Sequence, residues 1–237
     1  MTRANASALR AARVALCAAA VLLVPVAAGA AGFGGLEVGQ DLSETPVEVG
    51  RFSFSVPQGV WRVAAKDERD TGAQAGNSGT PRQLALALVA LRAKGAPVLV
   101  FVRAPASTYV GMYRWADDPC RDFKGATIFD PLRQSFGMPE CLAVLPVSVD
   151  SLTAATWGVR YDAAQWLQQS GIALPPKLWR VYYTKYSAGD FVHIDAYFPE
   201  PPDGSLAAIE NWARTLAVEA QLTVTRTRPS AAFPRLP

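Results

Sequence analysis

Residues 83–105 read QLALALVALRAKGAPVLVFVRAP, and how they fold decides the class of the whole chain. Leu84, Leu86 and Leu88 alternate with neighbouring residues at the period of a strand, yet Leu84, Leu88 and Leu91 also recur at helical spacing. Lys94-Gly95 separates this run from a second apolar run, Val98 to Val102, of similar length. Two matched runs across a Gly-containing turn form the pattern of a β-hairpin, and we read them so. The returning strand is apolar at both parities, which predicts a central position with both faces covered.

The rest of the chain extends this pattern. LWRVYYTKY (178–186) and FVHIDAYFP (191–199) form a second hairpin across Ser187 to Asp190. In VEVGRFSFSVP (47–57), Val47 and Val49 share one parity while Phe52, Phe54 and Val56 share the other, which predicts a bulge at Gly50. WRVAAKDER (61–69) reads as a further strand, TGAQAGNSGTP (71–81) as an exposed loop, and CLAVLPVSV (141–149) as a strand whose Pro146 demands an edge or a bulge. YDAAQWLQQSG (161–171) is a helix with Gly171 at the left-handed cap position. SLAAIENWARTLAVEAQ (205–221) is a second helix, capped by Ser205, with Leu206, Ile209, Trp212, Ala213, Leu216 and Ala220 on one face. Hairpins interrupted by amphipathic helices predict an α+β fold, an antiparallel sheet with the helices packed on it.

Phe52-Ser53-Phe54-Ser55-Val56-Pro57 followed by Trp61, with hairpins in the middle and an amphipathic helix near the end, resembles the PsbP-like layout over residues 47–225. The resemblance implies an antiparallel sheet covered by helices. It brings no catalytic residues with it, and the segment between Cys120 and Cys141 is not part of it. The chain is also similar to exported proteins of proteobacteria.

Residues 1–13 carry Arg3, Arg10 and Arg13 and no acid, and the apolar run VALCAAAVLLVPVAAGA (14–30) ends in Ala28-Gly29-Ala30. Basic start, apolar middle and small-residue end predict a secretory signal over residues 1–30, cleaved after Ala30. The alternative is an uncleaved anchor, because residues 14–32 approach the roughly 20 residues a bilayer requires. Cys17 lies inside the apolar run behind the large Leu16, which does not suit lipidation. Residues 31–46 read as a flexible N-terminal segment, 47–225 as one domain, and 226–237 as a proline-containing, frayed tail.

Cleavage also alters the charge. The 23 Lys and Arg fall to 20 without Arg3, Arg10 and Arg13, equal to the 20 Asp and Glu. A neutral chain has no general attraction to phosphate backbones, so nucleic acid is not an expected partner. No stable membrane span is expected once the signal is removed.

Cys120 and Cys141 then remain as the only thiols, in a compartment that oxidises them. A zinc site needs further soft ligands nearby, and a redox couple needs closer spacing. We therefore expect a structural disulfide, worth roughly 3 kcal/mol for a loop of this length. Gly125, Pro131, Gly137 and Pro139 predict a long loop between the cysteines, with one helical turn at Pro131 to Phe136. A tied loop is pre-ordered for contact, which makes Arg121, Lys124, Phe129 and Arg133 the candidate partner surface. The alternative is that this loop only closes over the sheet.

Catalytic signals are sparse. His193 is the sole histidine, and Asp195 at i+2 on its strand is placed to orient it as a general base requires. No nucleophile stands in a recognisable setting: the serine of GNSG (76–79) is in a loop rather than at a strand-to-helix elbow. Asp117 and Asp118, beside Trp115, are adjacent and point apart if extended, so they read as turn residues. Trp179 and Tyr183 lie opposite Tyr182 and Tyr186 and offer an aromatic face, though strands favour such residues for packing alone. No cofactor or metal is expected. The sequence reads as a non-catalytic domain that binds a protein or envelope partner, or else as a small hydrolase or ligand-binding protein using His193 and the strand aromatics.

Overall fold

The computed structural model describes residues 30–42, 46–69, 82–92, 95–108, 119–120, 123–135, 138–153, 158–187 and 189–237. The expected signal over residues 1–30 falls almost wholly outside these ranges, as do the 71–81 loop, Trp115, Asp117, Asp118 and Arg121. The strands are β1 (Ala31–Gly32), β2 (Asp41–Leu42), β3 (Val47–Val49), β4 (Phe52–Ser55), β5 (Val60–Arg69), β6 (Gln83–Leu91), β7 (Val98–Pro105), β8 (Ile128–Ser135), β9 (Met138–Ser148), β10 (Lys177–Ser187), β11 (Asp190–Pro199) and β12 (Ala231–Ala232). The helices are α1 (Val149–Thr153), α2 (Val159–Gln169) and α3 (Ala207–Val224).

Eight strands form one antiparallel sheet in the order β2-β5-β6-β7-β11-β10-β9-β8, and the two expected hairpins, β6–β7 and β10–β11, meet at its centre. Strand outweighs helix here, so the α+β expectation holds in the loose sense of a large antiparallel sheet with three helices. β7 is apolar at both parities because each parity enters a different core. Val98, Val100 and Val102 join Val192, Ile194, Trp212 and Leu216 on the α3 side. Leu99 and Phe101 join Tyr197, Leu152 and Leu167 on the α1–α2 side. Each of these buried large apolar side chains contributes roughly 1.5–3 kcal/mol.

Local chemistry explains the helix ends. In α2 the Ile172 amide donates to the Leu167 carbonyl at 2.9 Å and the Gly171 amide to Gln168 at 3.2 Å, with Gly171 at φ 66°. This is the paired bonding of a Schellman cap, and Leu167 and Ile172 close it in the same apolar cluster. Ser205 does not cap α3: the helix begins one residue later, and the Ser205 amide instead donates to Asp203 Oδ1 at 3.0 Å. The other end of α3 repeats the Schellman pattern with Arg226 at φ 61°, a conformation costing a non-glycine residue about 1–2 kcal/mol. Its guanidinium offsets that cost by donating to the Arg51 carbonyl at 3.0 Å and to Asp190 at 2.9 Å.

Several sequence expectations change. Gly50 is not a bulge but the first residue of a two-residue hairpin turn that brings Val49 opposite Phe52 and Val47 opposite Phe54. The parity switch arises because the chain reverses direction. Packed elements also occur on both sides of residues 47–225. β1 pairs in parallel with β3, and Leu36 is fully buried, so residues near the N-terminal side of the fold are pinned. On the other side β12 pairs with β4, Phe233 stacks on Phe54 with ring centroids 4.5 Å apart, and Trp212 Nε1 donates to the Pro234 carbonyl at 3.1 Å. β1, β3, β4 and β12 thus form a second, four-stranded sheet. Apolar contacts hold the tail, where composition alone suggested fraying.

Pro146 fits its expected place. The Val144 carbonyl receives the Thr127 amide, so residues of that parity on β9 face β8. β8 begins only at Ile128, opposite Val144, and the missing N–H of Pro146 therefore faces an edge where β8 no longer pairs.

Gly50 tests the turn. At φ 58° a Cβ would lie 2.0 Å from the Pro105 carbonyl oxygen, a backbone atom that cannot swing aside. Gly50→Ala should destabilise the domain by more than about 1 kcal/mol, read as a lower urea midpoint with unchanged slope.

Candidate functional site

The disulfide joins Cys120 to Cys141 with Cα atoms 5.8 Å apart. The intervening segment is not the expected loop with a helical turn at Pro131. It contains β8, which pairs antiparallel with β9 as the outermost strand of the large sheet. Pro131 falls within the register break between Asp130 and Arg133, where its missing N–H removes no regular ladder bond. That break also erases the period-2 alternation, leaving Thr127-Ile128-Phe129 as the one strand-like cue in the sequence.

Of the proposed contact residues, Lys124 is exposed and Phe129 is 43% exposed. Leu132, which the sequence reading did not select, is 42% exposed on the same strand. Arg133 occupies a β8 position opposite Glu140, its side chain lying outside the described residues, as Arg121 does entirely. Phe123 packs between Tyr182 and Phe129, at 4.7 and 5.4 Å between centroids, and Asp130 pairs with Arg214 of α3 at 3.3 Å. The segment is thus anchored on both faces of the sheet, with two large apolar groups left outward.

The second candidate is the polar row on the α2 side of the central strands. β10 and β11 place Tyr182 opposite Asp195 and Thr184 opposite His193, while β7 places Arg103 beside His193. His193 Nε2 lies 2.9 Å from Asp195 Oδ2, so the expected orienting pair exists. Asp195 has other partners as well: Arg160 Nη2 donates to Oδ2 at 2.6 Å and Arg180 Nε to Oδ1 at 2.6 Å. Burial pushes the Asp195 carboxyl up, but His193, Arg180 and Arg160 outweigh it and hold the group well below the usual carboxylate range. Burial lowers the His193 pKa despite the opposing pull of Asp195, and Arg103 and Arg180 lower it further. At neutral pH the imidazole is therefore uncharged and serves Asp195 as a hydrogen-bond partner, beside the two charged guanidiniums.

A hydrolytic triad needs a nucleophile beside the imidazole. Thr184, the cross-strand neighbour of His193, donates its hydroxyl to the Val192 carbonyl, and Tyr182 donates to Pro119 at 3.0 Å. Cys141, next along the same row, is committed to the disulfide. Among the described residues the geometry forms an ion-pair hub rather than a charge relay.

Trp179 and Tyr183 lie on the α3 face, and Tyr182 on the opposite one. The aromatics therefore do not form one binding face. Tyr183 donates to Glu140 Oε1 at 3.0 Å, and Glu140 Oε2 pairs at 2.6 Å with Lys185, both charged side chains being almost wholly buried. The sequence reading missed this pair. Its signal was parity: Lys185 follows Val181 and Tyr183 on the core side of β10, and Glu140 precedes Leu142 and Val144 on that of β9. Beyond these clusters, α1 and α2 border an open apolar pocket of about 520 Å³, lined in part by Leu152, Tyr161, Ile172 and Leu174.

No family model, curated protein or solved structure matches this chain. Among the described residues, no helix is long and apolar enough to cross a membrane, and no group of three His, Cys, Asp or Glu is placed to hold a metal ion.

The hub gives stability a definite pH dependence. Asp195, with a lowered folded pKa, contributes fully above its unfolded value near 4 and loses that contribution as pH falls through the folded pKa. His193, also lowered, is stabilising while neutral, so its contribution is complete above about 6.5 and declines as pH falls below it. Because His193 is the sole histidine, His193→Gln should flatten the stability profile just below about pH 6.5 while leaving the further acid loss below about pH 4. Urea midpoints measured across pH 3–8 would check both limbs.

Proposed function

We propose that this chain is an exported, non-catalytic domain that docks a protein or envelope partner through its disulfide-tied β8 segment. The observation that carries the reading is the exposure of Phe129 and Leu132 on one strand at the sheet edge. An edge strand offers unpaired backbone donors and acceptors, and β-strand addition uses them for affinity and the side chains for specificity. Closure between Cys120 and Cys141 lowers the ordering cost of binding there. The non-catalytic part rests on His193, whose described hydroxyl-bearing neighbours are engaged elsewhere.

Photo-crosslinking in the source cells tests the docking surface. A reactive side chain at 129 or 132 should give a discrete adduct, whereas one at Val218, still more exposed on α3, should give none. Equal labelling from all three positions, or none from β8, defeats the assignment. Phe129→Ala should abolish the adduct from position 132 while changing stability by no more than about 0.5 kcal/mol.

Export rests on the disulfide, which persists in oxidising compartments. Intact-mass measurement of the periplasmic species should give a chain starting at Ala31 and two protons lighter than its dithiol form. Reduction should lower its stability by roughly 3 kcal/mol. A cytoplasmic, reduced chain retaining Met1 contradicts both parts.

A further inference from the structure

Asp195 is a buried carboxylate served by more positive charge than it needs. Two guanidiniums and an imidazole converge on its two oxygens. A guanidinium has five N–H donors. Arg180 directs Nε and one Nη at Asp195, and Arg160 directs one Nη, so most donors of both groups point elsewhere. Neither side chain is sealed from water: Arg160 is 35% exposed and Arg180 21%. Arg103 stands beside His193 on the same face, exposed, and makes no hydrogen bond or ion pair among the described residues.

Among the described residues, the remaining charges on this face do not cancel that excess. Asp67 and Arg69 of β5 share the face and pair with one another at 2.5 Å, contributing no net charge. His193 is neutral. Arg103, Arg160 and Arg180 against Asp195 leave an excess of two positive charges. Arg160 also stands in the first turn of α2, where the helix dipole adds partial positive charge and the exposed Asp162 shares the turn. Rings hold two of the arginines in place, Arg180 lying 5.1 Å from the Tyr182 centroid and Arg160 6.0 Å from that of Phe101. Fixed guanidinium forks backed by a buried carboxylate suit an oxyanion, and the excess of two charges suits a dianion.

We propose that the outward donors of Arg103, Arg160 and Arg180 form a binding site for a dianionic phosphate group, with Asp195 as the positioning residue behind it. The phosphate belongs either to a small molecule or to a lipid headgroup, because both present the same oxygens to the arginines. This site is separate from the β8 docking surface and stands or falls independently of it.

Calorimetric titration of the disulfide-bonded mature chain with inorganic phosphate tests the site, with sodium chloride at matched ionic strength as control. A second arm uses phosphatidylcholine vesicles with and without phosphatidic acid, whose headgroup is a phosphate monoester. Saturable binding of one phosphate, competed by sulfate, supports a small-molecule source. Saturable binding confined to the phosphatidic acid vesicles supports a lipid source. In either case Arg103→Gln should weaken binding about tenfold, the loss of one charge-assisted contact. This variant removes no described ion pair and is expected to fold; Arg160→Gln should act in the same direction, its folding checked by circular dichroism. Arg228→Gln, on the C-terminal side of α3, should change nothing. No saturable binding in either arm, or binding indifferent to Arg103→Gln, overturns the proposal.

Discussion

β7 and β11 are the fourth and fifth of eight strands, and apart from Arg103 their central residues are buried on both faces. Every other layer answers to that constraint. The α3 side is closed by α3 itself and by the four-stranded sheet, whose Phe52 and Phe54 enter the same core. The opposite side is closed by α1 and α2 over β5, β6 and β7, and by the disulfide-tied segment over β9 and β10. Polar residues at these positions require partners inside the protein, since an unpaired buried charge costs several kcal/mol. His193 finds its partner in Asp195 on the same strand, Asp195 finds two more on α2 and β10, and Lys185 finds Glu140 on β9 at the other face.

The two polar clusters sit back to back on β10. Arg180 points toward Asp195 and Tyr182 packs against His193, while Tyr183 and Lys185 point toward Glu140. A one-residue slip of β10 would exchange the two sets and strand a lysine among aliphatic groups. The charged groups therefore discriminate between registers that a purely apolar strand would tolerate. Such specificity is distinct from net stability, because buried ion pairs recover little beyond their desolvation cost.

What the sequence revealed depended on whether a signal was local. The central hairpins and both long helices were legible because their periodicity runs for eight residues or more. β8 was not, because Pro131 and the bulge beside it interrupt the alternation. β1, β2 and β12 contain two residues each, too few for any period, and exist through pairing with strands far away in the chain. Within the site, His193 and Asp195 were legible as an i+2 pair on one strand. Arg160 and Arg180 were not, because they lie 35 and 15 residues from Asp195 and meet it only once α2 and β10 are placed.

The four-stranded sheet has a temporal consequence. Its outer strands are β1 and β12, and Ala231 lies opposite Phe54, 177 residues earlier in the chain. Synthesis supplies β4 early but its neighbour β12 only much later in the chain. Until then Phe54 lacks the ring of Phe233, and Trp212 lacks the carbonyl that receives its indole N–H. Contacts of such long separation form late and slowly. A nascent chain still short of Phe233 therefore remains an open form in which the core beneath α3 is uncapped.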